Sequence, residues 1–107
     1  MKKCVIAIES KFILYKNSIN ETLDEMLADR ITISKARGRV VQGFHEIAGM
    51  LEFAKDMNMI TYETEDNYLR KAKNMRVSAL SRLMEEKLLN YNIAYKVSGI
   101  FKFFERL

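Results

Sequence analysis

A chain of 107 residues without a single proline places almost no backbone obstacle in the way of long helices. Only four glycines interrupt it, and the abundant Leu, Met, Lys, Glu and Ala are good helix formers. The fold that follows is all-α. One domain covering residues 1–107 is expected, because a chain this short has no room for a second independent core.

Periodicity supplies the elements. At about 100° per residue, Cys4, Val5, Ile8, Phe12, Tyr15, Ile19, Leu23 and Met26 fall on one stripe, which predicts a helix over 3–29. A hairpin pairing residues 4–8 with 12–15 across Glu9, Ser10 and Lys11 is the competing reading. Ile6, Ile13 and Leu14 lie off the stripe and call for a second covering surface. Val40, Val41, Phe44, Ile47, Ala48, Leu51 and Ala54 form the next stripe, in a helix over 34–57 capped by Ser34. Gly38, Gly43 and Gly49 each cost a helix interior about 1 kcal/mol relative to alanine, so each implies a late helix start or a close backbone contact. The late start is preferred for Gly38.

After a turn at residues 58–61, Thr61 caps a third helix over 62–90, whose positive end attracts Glu63, Glu65 and Asp66. Its apolar arc is broad, from Tyr68 and Leu69 to Leu83 and Met84. Past a polar break at Asn90 and Asn92, the spacing of Ile100, Phe101, Phe103, Phe104 and Leu107 predicts a short C-terminal amphipathic helix. The architecture expected is an antiparallel bundle of three longer helices plus this short one.

Charge is unevenly placed. Residues 58–66 hold three acids and no base, whereas 67–107 hold nine bases and three acids. A basic bias of this kind suits an acidic protein surface or a nucleic acid. Two groups of candidate partner-binding residues stand out: Lys35, Arg37 and Arg39 at the junction of the first two helices, and Arg70, Lys71 and Arg82 on the solvent arc of the third. The junction lacks the residue order of a phosphate-binding Walker loop. Arg76 projects between Leu69 and Leu83 inside the apolar arc, where it must snorkel, pair with a carboxylate or meet another chain.

One Cys and one His, Cys4 and His45, are too few for a metal site or an internal disulfide, and no cofactor is expected. Catalysis is not expected either. The apolar run after Lys2 and Lys3 stops at Glu9, so export is not anticipated and a reducing cytoplasm is the default location. Binding is then the default activity: a small regulatory or inhibitory protein that occludes a surface of a macromolecular partner, as phage and plasmid accessory proteins do. The alternative is a nucleic-acid-binding transcriptional regulator that uses the same bases. A homodimer is expected because the apolar surface exceeds what one such chain can cover, with Arg76, Leu80, Phe101 and Phe104 at its interface and Arg76 reaching Glu65 or Glu86 of the other chain.

Overall fold

The computed structural model describes the backbone of residues 2–105 and the side chains of residues 2–89. Three helices follow one another, α1 (Lys2–Leu27), α2 (Ile33–Asp56) and α3 (Tyr62–Glu105). No strand occurs among the described residues, so residues 4–15 are helix rather than hairpin. The reason is periodicity: Ile8, Phe12 and Tyr15 share one helical face and are all buried, which a strand pleat would have split between two faces. The polar break at Asn90 and the short amphipathic helix expected after it, with Phe101 and Phe104, fall outside the described side chains.

Local chemistry sets the helix ends. Thr32, and not Ser34, caps α2: its Oγ1 accepts the backbone N–H of Lys35 at 3.1 Å. Both hydroxyls are competent caps, but Ile31 and Ile33 pack onto the core and draw the chain into helix two residues early. Thr61 caps α3 as its spacing predicts, accepting the N–H of Thr64 at 3.1 Å. At the far end of α1, Asp29 adopts the left-handed conformation while Arg30 N–H reaches back to the Glu25 carbonyl. Asn58 repeats the arrangement after α2, with Met59 N–H on the Ala54 carbonyl. These paired bonds satisfy carbonyls that a helix terminus otherwise leaves orphaned.

The core forms in two connected layers. Ile8, Phe12, Tyr15, Phe44, Ile47, Leu51 and Ala72 make the larger one, and Leu23, Met26, Ala36, Val40, Ala79 and Leu83 the other. Burying a side chain such as Ile47 or Leu51 stabilises the fold by roughly 1.5–3 kcal/mol relative to leaving it exposed. Of the three glycines of α2, only Gly43 is there for close approach: a Cβ would lie 2.6 Å from the Tyr15 ring. That proximity lets the Tyr15 hydroxyl donate to the Val40 carbonyl at 2.7 Å, tying α1 to α2. Gly38 lies inside α2 rather than ahead of it, with open space around it, as does Gly49.

Shared contacts give the vertical register. Tyr68 donates to Glu9 of α1, 59 positions earlier, and Leu23 and Met26 sit level with Ala79 and Leu83. Thus α1 and α3 run parallel, with α2 antiparallel between their ends. At about 1.5 Å per residue, the 44 residues of α3 outrun the 26 of α1, and beyond the buried Leu83 the apolar Met84, Leu88 and Leu89 are exposed.

A cationic groove between α1 and α3

Packing is uneven around the bundle. Phe44, Ile47, Leu51 and Val40 fasten α2 to both neighbours, while α1 and α3 meet mainly at Phe12, whose ring stacks on Tyr68 with centroids 5.7 Å apart. Below that contact the two helices leave a groove of about 620 Å³. Its floor is apolar, made by Ile19, Met75 and Ala79. Four cations, Lys16, Arg70, Lys71 and Arg82, line it together with Asn20, Asn67, Asn74 and Ser78, and no carboxylate does. The cause lies in sequence: on α3 the face between the core and solvent carries Asn67, Lys71, Asn74, Ser78 and Arg82 at spacings of three and four, so small polar residues hold the backbone open to approach.

The charges in the groove are differently committed. Arg70 is held by Asp66 one turn earlier, at 2.9 Å. Lys71 lies 3.9 Å from Glu9 and places its ammonium 4.6 Å from the centroid of the Phe12 ring, a cation–π contact that fixes it at the upper rim. Tyr68, hydrogen-bonded to the same Glu9, has its phenol raised above its usual pKa, by burial first and by that carboxylate second. Lys16 and Arg82 form no ion pair among the described residues and are exposed.

The structure therefore gathers Arg70, Lys71 and Arg82 into one site and adds Lys16 and Asn20 from α1, which sequence reasoning did not single out. The signal for them was that Lys16 and Asn20 lie four residues apart on one face of α1 with no acid between them. Lys35, Arg37 and Arg39 lie elsewhere, at the start of α2. Arg39 is half-buried in an ion pair with Glu25, which clamps α2 to α1, while Lys35 and Arg37 face solvent.

Arg76 finds its place within the chain. Its guanidinium stacks 4.2 Å from the centroid of the Phe44 ring, between α2 and α3, close enough to Tyr15 to offset part of the rise that burial imposes on that phenol. Leu80 likewise packs against the lower core layer. His45 is exposed, tilted against Phe44, whereas Cys4 is half-buried at the start of α1. No cluster of three His, Cys or carboxylate side chains occurs among the described residues, and no described helix is long and apolar enough to cross a membrane.

A second hollow, of about 370 Å³, opens at the other end of the bundle between Cys4 and Ala7 of α1 and Met50, Phe53, Ala54 and Met59. It is apolar and flanked by the exposed Met57. No family model matches this chain, and neither a curated protein nor a solved structure is found to be similar to it.

Proposed function

We propose that this chain is a small non-enzymatic regulatory protein that acts by binding, and that the α1–α3 groove seats an acidic amphipathic helix of a macromolecular partner. The observation that carries this reading is the groove's composition: an apolar floor for one face of a helix, and four cations with no carboxylate for the other. Helices dock in grooves by laying apolar anchors on the floor, and the charged rim selects orientation and partner. Occluding such a helix is a sufficient mechanism for an inhibitor.

The test uses a synthetic helical peptide with leucines on one face and glutamates on the other, titrated calorimetrically beside generic duplex DNA. Peptide binding is expected, weakened about tenfold or more by combined Arg70→Ala, Lys71→Ala and Arg82→Ala, with the melting temperature kept. Lys35→Ala with Arg37→Ala should leave it unchanged. Tighter binding to the duplex, falling steeply with salt, would replace this reading with nucleic-acid regulation.

A further inference from the structure

We infer that the groove is covered by a second copy of this chain, the two α1–α3 faces stacked with α3 antiparallel on α3 and α1 antiparallel on α1 about a twofold axis at the level of Asn20 and Ser78. The inference rests on the proposed binding role of the groove, one of whose cations would meet Glu85 of the second copy.

Two fully exposed stripes border the groove. On α3, Asn67, Lys71, Asn74, Ser78, Arg82 and Glu85 recur at spacings of four, three, four, four and three, and Leu89 continues the series. The unit four, three, four recurs on either side of Ser78, an eleven-residue period that holds one face of a helix. One charge pair is antisymmetric about Ser78, with Lys71 seven residues before it and Glu85 seven after, while Arg82 falls opposite Asn74. An antiparallel pair centred on Ser78 therefore sets each Lys71 against Glu85 of the other copy, twice, with Glu86 adjacent. It also lays the exposed Leu89, 53% accessible, over the Asn67 end of the opposite groove.

The stripe on α1 obeys the same axis. Ile13, Lys16, Asn20, Asp24 and Leu27 are all exposed, at spacings of three, four, four and three. Lys16 and Asp24 stand four residues to either side of Asn20, and Ile13 and Leu27 stand seven. A twofold at Asn20 pairs Lys16 with Asp24 and Ile13 with Leu27, side chains that are otherwise 62% and 40% accessible. Asn20 and Ser78 line the same groove, and the offset that places Glu9 beside Tyr68 places them level with each other. Two independent charge patterns thus agree on one axis. The two α1–α3 layers then lie face to face, and a partner helix must part them to enter the groove.

Light scattering at micromolar concentration should return about twice the 12.5 kDa chain mass. Lys71→Glu and Glu85→Lys should each lower it toward one chain with the dichroism spectrum unchanged, and the double variant should restore the dimer, because both charges are swapped together. Ser78→Cys in a Cys4→Ser background should cross-link to a disulfide dimer under mild oxidant. A monomer mass for the parent protein, or a folded double variant that stays monomeric while Ser78→Cys fails to cross-link, overturns the inference. The glutamate-rich peptide separates the two readings. Monomeric Glu85→Lys should bind it more tightly than the parent, whereas no binding by that monomer would reduce the groove to self-assembly and sink the proposed function alone.

Discussion

Replacing Gly43 by alanine should destabilise the fold, although alanine is the better helix former. The added Cβ would sit 2.6 and 2.7 Å from two carbons of the Tyr15 ring, where ordinary contact begins near 3.4 Å. The ring has nowhere to go. It is only 4% accessible, and its hydroxyl is anchored on the Val40 carbonyl at 2.7 Å. Overpacking of this kind costs about 1–3 kcal/mol, and releasing the Tyr15–Val40 bond to relieve it costs about 1 more. The helix-propensity gain offsets about 1 kcal/mol. The net loss is then about 1–3 kcal/mol, a fall in melting temperature of roughly 5–15 °C for a domain of this size. Thermal and urea melts followed by dichroism read it directly. In a Tyr15→Leu background the clash disappears, so the same substitution should become neutral or stabilising, and the coupling between the two sites should exceed about 1 kcal/mol. Equal losses in both backgrounds, or a Gly43→Ala protein as stable as its parent, would refute the close-approach argument.

Gly38 and Gly49 have open space where a Cβ would be, so alanine at either should raise stability by about 0.5–1 kcal/mol in the same melts; a loss at both would mean that α2 is not regular there. The pH dependence should fall on Tyr15, whose phenol is raised above the usual 10.0 by burial, with Arg76 lowering it only in part. The unfolded chain ionises first, so the folded form binds more protons above about pH 10, and stability, flat below that, drops as pH rises through the folded value. Tyr15→Phe should shallow the drop in the urea midpoint; an unchanged slope would exclude burial of this phenol as its source.

Much of the fold was legible because the apolar stripes of α1 and α2 keep one period over their whole length. Ile8, Phe12, Tyr15, Val40, Phe44, Ile47 and Leu51 are buried as their spacing requires. Val5 and Met84, on their expected stripes, are exposed although Cys4 and Leu83 beside them pack onto the core, a distinction that no single stripe encodes. The choice between Thr32 and Ser34 as cap was not legible either, since it turned on Ile31 and Ile33 packing onto residues far away in sequence. The three glycines of α2 looked alike, and only the position of Tyr15 on α1 distinguishes Gly43. The site shows the same division. Arg70, Lys71 and Arg82 could be picked out as a solvent-facing group on α3, but Lys16 and Asn20 join them only once Gly43 and the Tyr15 anchor fix how α1 lies. Arg76, set inside an apolar arc by its spacing, needed the Phe44 ring opposite to explain it.

The order of charges along α3 also decides between the two ways a pair of such helices can lie. Side by side in parallel, each seam residue meets its own copy, so Lys71 would face Lys71 and Arg82 would face Arg82 within a partly desolvated groove, and the repulsion grows as water leaves. Reversing one helix sets Lys71 against Glu85 and moves the Arg82 side chains to opposite sides of the axis, level with Asn74. Only the residue on the axis still meets itself, and there the chain has Ser78 on α3 and Asn20 on α1, small uncharged groups that both donate and accept hydrogen bonds. A twofold forbids a charge at that point and permits these two. In the proposed dimer the acids that follow Leu83 on a helix otherwise rich in bases gain a role: Glu85 and Glu86 lie where no described side chain is buried beyond Leu83, and there Glu85 would meet Lys71 of the second copy.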